Sequence, residues 1–129
     1  MFLIDTCILS ELARPAPNVG VATWIAEQDE LVVSTMTIQE IAYGVKRRAV
    51  PKLDRWFAEI FPVLKEIPVT REISLLAADF QVRSEKQGLP LTDADSVIAA
   101  TAAITGRILV TRNVKDFAYC SVMLKNPFI

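Results

Sequence analysis

The chain has 129 residues, 52% of them apolar, and 14 basic against 15 acidic side chains give a net charge of −1. That is one domain of ordinary size, able to bury a core without disulfides and too apolar to be disordered. The near-neutral balance excludes binding through an overall basic field. The absence of histidine excludes Ser-His-Asp and Cys-His catalysis, a histidine base and most catalytic zinc sites.

The chain opens on MFLI, a short apolar run that reads as a buried strand ending at Asp5. TCILSELAR follows with Ile8, Leu9 and Leu12 at helical spacing, and the PAP at 15–17 stops it. Asn18 caps a second short helix through Trp24 and Ile25. LVVS at 31–34 is a second strand, and TMTIQEIAYGVKRR reads as a helix. Pro51 suits the first turn of PKLDRWFAEIFPVLK, whose apolar positions recur every three or four residues until Pro62 kinks or stops it. EIPV at 66–69 is a third strand, and Thr70 opens the longest helix, closed near Gly88. TDADSVIAATAAITG is a compact helix closed by Gly106, RILVT is the strongest strand, and SVMLKNPFI supplies a last short strand or tail.

Strands alternating with helices imply an α/β fold, a parallel sheet covered on both faces within a single domain, 1–129. Sites in such sheets form at the carboxyl ends of the strands. Asp5 ends the first strand, and Thr111, Asn113 and Asp116 follow RILV, so both groups belong on one edge. Cys7 and Cys120 form no metal-like pair and read as buried reduced thiols, which fits the cytoplasm. No basic leader is visible, and no apolar run approaches about 18 residues, so no membrane span is expected.

Four acids stand out: Asp5, Glu40, Asp95 and Asp116. Each has a second reading as a cap. Asp5 suits a helix N-terminus, Thr37–Glu40 and Thr92–Asp95 have capping-box spacing, and Asp116 suits a turn. The set resists that reading. The small and apolar residues at 96–104 predict a central, tightly packed helix, which aims Asp95 at the sheet edge beside Asp5. Two carboxylates about 5 Å apart repel by roughly 3 kcal/mol at an effective dielectric of 20. Several of them hold protons or hold a metal. An all-oxygen donor set favours Mg2+ or Mn2+ over zinc, and the matching chemistry is metal-assisted phosphodiester hydrolysis.

LIDT at the N-terminus, TIQEIAYG at 37–44, DADSVIAATA at 93–102 and LVTRNVKDF at 109–117 together resemble the PIN-domain ribonucleases, in particular the VapC-type and FitB-like toxins of bacterial toxin–antitoxin pairs. The resemblance spans essentially the whole chain, in order. It implies a three-layer α/β/α sandwich, metal-binding and catalytic roles for Asp5, Glu40, Asp95 and Asp116, and a pocket lined by Thr6, Thr111 and Asn113. It also implies an RNA substrate, a homodimer, a small antitoxin, and operator DNA reached only through that antitoxin. Asp93, two residues before Asp95, reads as solvated or capping. Arg112 and Lys115 are the first choice for substrate phosphates. Lys46, Arg47, Arg48, Lys52 and Arg55 suit a solvated helix end. Trp24, Trp56, Phe57 and Phe61 read as core, but the 51–65 helix carries more apolar bulk than one face needs and suits a groove for an antitoxin helix. The competing reading is a non-catalytic module acting mainly inside a DNA-binding antitoxin complex.

Overall fold

The computed structural model describes residues 1–129. In chain order it contains β1 (Phe2–Ile4), α1 (Thr6–Leu12), α2 (Val19–Ala26), β2 (Leu31–Ser34), α3 (Thr35–Arg48), α4 (Pro51–Ile60), β3 (Leu64–Ile67), α5 (Arg71–Lys86), α6 (Asp93–Ile104), β4 (Ile108–Val110) and β5 (Leu124–Lys125). Short 3-10 turns occupy Phe61–Val63 and Val114–Phe117.

Every strand pairing is parallel. β1 pairs with β4 and β4 with β5 in one sheet, and β2 pairs with β3 in a second. β1 and β2 lie side by side without a continuous ladder, so the expected central sheet is divided at that seam.

Side-chain alternation along the strands produces the layers. Leu3, Val32 and Leu109 point one way, into a core with Ile73, Ala77 and Phe80 of α5 and Ile98 to Ala100 of α6. Their neighbours Ile4, Val33 and Val110 point the other way, onto Ile8 and Leu9 of α1, Val21 of α2, and Ile41 and Val45 of α3. The result is an α/β/α sandwich. α6 is its most enclosed helix, with Ile98, Ala99, Ala100, Thr101 and Ala102 fully buried. Its small side chains let the backbone approach the sheet closely.

Two boundaries differ from the sequence reading. α4 stops at Ile60 because Pro62 cannot continue it, and the chain enters β3 at Leu64, two residues before the expected start. The strand then ends at Ile67, since Pro68 has no N–H to give a ladder. The α3–α4 turn also carries a non-glycine residue, Ala49, in the left-handed region at φ 53°, a conformation that costs about 1–2 kcal/mol for an L-residue.

The C-terminal tail lies across the start of α2. Asn18 holds it twice, donating from Nδ2 to the Ile129 carbonyl at 2.9 Å and accepting the Ile129 N–H at 3.3 Å. Gly20 permits this approach: a Cβ there would stand 2.2 Å from the Pro127 carbonyl oxygen and 2.9 Å from Ile129 Cγ1. Alanine gains about 1 kcal/mol over glycine in a helix, whereas overpacking of this kind costs about 1–3 kcal/mol. Gly20→Ala is therefore expected to lower unfolding stability in urea. An increase would mean that the tail yields without cost.

Candidate active site

Asp5 sits where β1 hands over to α1. Its N–H donates to the Val110 carbonyl at 3.0 Å, which ties the junction to the end of β4. The side chain is only 3% exposed. Oδ1 accepts the Thr6 N–H at 2.8 Å, so Asp5 caps α1. Oδ2 accepts the Thr111 hydroxyl at 2.7 Å and lies 3.5 Å from the Cys7 thiol. Thr111 in turn accepts the Asn113 N–H at 3.0 Å, which fixes the loop after β4. The two strand ends meet through this chain of bonds, on the edge the sequence predicted.

Glu40 arrives from the middle of α3. The Thr6 hydroxyl donates to its Oε1 at 2.6 Å and lies 3.1 Å from the buried Thr37 hydroxyl. The capping-box alternative fails for Glu40, because α3 starts earlier and Ser34 is its cap. Thr37 is therefore an interior helix residue, and Glu40 is free to face the cleft. Asp95 stands in the first turn of α6, where the Thr92 hydroxyl accepts its N–H at 3.1 Å. Asp93 is exposed and accepts Gln81 Nε2 at 2.7 Å, away from this group.

Asp5, Glu40, Asp95 and Asn113 line one open cleft of about 400 Å³, together with Thr6 and four residues the sequence reading did not place there: Ser10, Glu11, Arg14 and Cys7, which is half-buried on the cleft wall where a buried thiol was expected. Positions 7, 10 and 11 are one helical face of α1, and Arg14 follows in the turn after it, a spacing visible in the sequence but masked by the apolar residues between them. Asp116 is exposed, in the turn after Asn113, and does not line the cleft, though its charge reaches Asp5 and Asp95. Arg112 and Lys115 also lie outside the lining. The Arg112 guanidinium sits 4.7 Å over the Phe128 ring, held by the tail.

The electrostatics follow from burial and crowding. Burial pushes the Asp5 carboxyl up, against the lowering pull of its bonds to Thr111 and Thr6. Asp95 is pushed up to about 6 by burial first, then by the charges of Asp5 and Glu40. The Cys7 thiol is pushed up to about 11, by burial and by Asp5, so it is a neutral neighbour and not a nucleophile at neutral pH. As the side chains stand, no three acids are gathered tightly enough to form a ready-made ion cage. Un-neutralised carboxylates repel, and Glu40 and Asp5 are each turned toward a hydroxyl. The donors still suit a hard cation that keeps most of its waters and takes one or two carboxylates.

A PIN domain family model matches residues 2–119. This chain belongs to the PIN-domain family. The VapC ribonuclease Y4jK of Sinorhizobium fredii is 30% identical to it, with 99% of this chain and 98% of that protein covered. The toxin FitB of Neisseria gonorrhoeae is 28% identical over 99% of each chain. The crystal structure of FitAcB from the same species superposes with a TM-score of 0.87 at 27% identity, covering 98% of each chain. The chain is thus a PIN domain of the VapC and FitB toxin type, a group of ribonucleases.

Between the ordinary carboxyl value of 3.8 and about 6 the folded protein binds more protons at Asp95 than the unfolded chain does. Stability of the metal-free protein therefore falls as pH rises through that window. Asp95→Asn removes the penalty. In EDTA at pH 8 it is expected to melt about 2–5 °C above the parent, less than full burial would give because the site is partly exposed, with the gap narrowing below about pH 6 and closing near the ordinary value of 3.8. Thermal unfolding followed by circular dichroism checks this, and a lower melting temperature at pH 8 would contradict it.

Proposed function

We propose that this single domain, 1–129, is a metal-dependent endoribonuclease, the toxin of a toxin–antitoxin pair, hydrolysing RNA phosphodiester bonds with Mg2+ or Mn2+. One observation carries the reading: Asp5, Glu40 and Asp95 line a single cleft at the carboxyl end of parallel strands, in a PIN-family chain. When bound, Mg2+ or Mn2+ supplies the Lewis acidity that activates water and steadies the leaving oxygen. Asp5, Glu40, Asp95 and the outlying Asp116 are the residues to hold it.

The chain's own groups have distinct tasks. Thr111 and the Thr6 N–H lock both oxygens of Asp5, so this acid keeps one orientation. The Thr6 hydroxyl orients Glu40 in the same way. Thr6 and Thr111 thereby act on the acids, and the expected substrate contact passes to Asn113 on the cleft wall. Asp95, the carboxylate that ionises with difficulty, gains most from a cation. No histidine is available to shuttle protons, so solvent protonates the leaving group.

The reading carries a homodimer, a cytoplasmic site of action and a small antitoxin. Operator DNA is reached through the antitoxin. No helix is long and apolar enough to cross a membrane. Ile41, Val45, Leu53 and Trp56 line an apolar groove of about 150 Å³ between α3 and α4 that suits an antitoxin helix. Trp56→Ala is expected to weaken capture by the antitoxin at least about tenfold. Unchanged capture by a folded variant would remove this surface from the account.

Cleavage of end-labelled total RNA by the antitoxin-free protein tests the function. Discrete cuts are expected with Mg2+ or Mn2+, and none with EDTA, Asp5→Asn or Asp95→Asn. The products should carry 5′-phosphate and 3′-hydroxyl ends, so a 2′,3′-cyclic phosphate would contradict the mechanism. Folded protein that cuts in no lane would favour the non-catalytic module within a DNA-binding complex.

A further inference from the structure

The polar face of α1 does not end with the acidic cleft. Ser10 and Arg14, on the cleft wall, also line a second open groove of about 280 Å³ between α1, the end of α3 and the start of α4. The two grooves therefore adjoin at Ser10 and Arg14, and their linings differ in charge. The first holds Asp5, Glu40 and Asp95. The second holds Arg14, Arg48 and Lys52 and no acidic residue.

Three cations around one groove are conspicuous in a chain with a net charge of −1. They come from the turn after α1, the end of α3 and the start of α4. The tight α3–α4 turn, with Ala49 in the left-handed region and Pro51 opening α4, brings the last residue of α3 and the second of α4 to the same groove as Arg14. Arg48 and Lys52 form no ion pair; the chain's two are Lys65–Glu30 and Arg14–Glu11. In the second, at 3.4 Å, Glu11 is buried but the Arg14 side chain is 66% exposed, so its remaining guanidinium donors can fork a phosphate. Favouring the helix dipole does not account for this placement. Lys46 and Arg47 serve the same C-terminal turn of α3, yet neither lines the groove.

We propose that this basic groove carries the single-stranded RNA on one side of the scissile bond, with Arg14, Arg48 and Lys52 contacting successive backbone phosphates. The proposal rests on the ribonuclease reading and adds to it the path of the substrate. Arg14 lines both grooves and so stands between the acids and the other two cations. A strand crossing the acids therefore passes Arg14 on its way to Arg48 and Lys52. Phosphates neighbouring the scissile one are attracted by the basic stretch, and the acidic stretch is left to the cation and the reacting phosphate. Contacts of this kind are independent of sequence and sensitive to salt.

The test is fluorescence anisotropy of the full-length, antitoxin-free protein with a labelled mixed-sequence RNA of about 12 nucleotides. It is run in EDTA across a salt series, beside the total-RNA cleavage assay. Arg14→Gln/Arg48→Gln/Lys52→Gln is expected to weaken binding by about tenfold or more and to lower the log–log salt slope by about 2, at ~0.7 per lost contact. The control Lys46→Gln/Arg47→Gln should bind nearly as the parent does. Equal losses in the two variants, or parental binding by the groove variant, would overturn the proposal while parental cleavage upholds the ribonuclease. Groove variants that keep RNA binding but lose the antitoxin would assign the groove to an acidic peptide and overturn it too. A parent that neither binds nor cuts RNA would bring down the functional reading, and the path with it.

Discussion

A carboxylate that is 3% exposed, Asp5, closes the junction of β1 and α1. A buried charge is tolerated only when its oxygens are satisfied. Here one oxygen takes the first N–H of α1 and the other takes the Thr111 hydroxyl at the end of β4. That pairing requires β1 and β4 to be parallel neighbours in register, Ile4 beside Val110, as they are. It also requires the residue after each strand to turn toward the same edge. The other acids are arranged around this fixed point: Glu40 through Thr6, and Asp95 through the packed helix that carries it.

Much of this was legible in the sequence, for local reasons. The continuous apolar runs in LVVS and RILV specify strands buried on both faces, and the small and apolar stretch 96–104 specifies a central helix. Asn18 and Thr70 announce helix starts that hydrogen bonds to Gly20, Val21 and Ile73 realise. The illegible parts depend on distant partners. Arg112 looked free to meet substrate, but the tail returns from residue 128 to place an aromatic ring beneath it. Thr37–Glu40 has the spacing of a capping box, yet Ser34 takes the cap because β2 runs directly into α3. In the sequence Arg14 is only the last residue of TCILSELAR. Its meaning depends on Arg48 and Lys52 arriving from another part of the chain.

The near-neutral composition hides a segregation of charge. α1 and the turn after it lie between an acidic cleft and a basic groove, with Glu11 and Arg14 both on the wall of the acidic cleft and Arg14 on the wall of both. The opposite face of α1, Ile8 and Leu9, is fully buried against the sheet. One short helix thus orients the buried acid, anchors a core layer and forms a wall of the cleft. Substitutions along it are expected to affect folding and substrate handling together, unless they are confined to the exposed polar positions.

The central claim is that burial and crowding hold Asp5 and Asp95 in a state that a divalent cation relieves. Its most direct test is a 13C NMR titration of the Asp95 side-chain carboxyl in EDTA and then in saturating Mg2+. The account predicts a midpoint of about 6 without metal, against an ordinary 3.8, and a clear downward shift with Mg2+. An ordinary midpoint that Mg2+ does not move would contradict it.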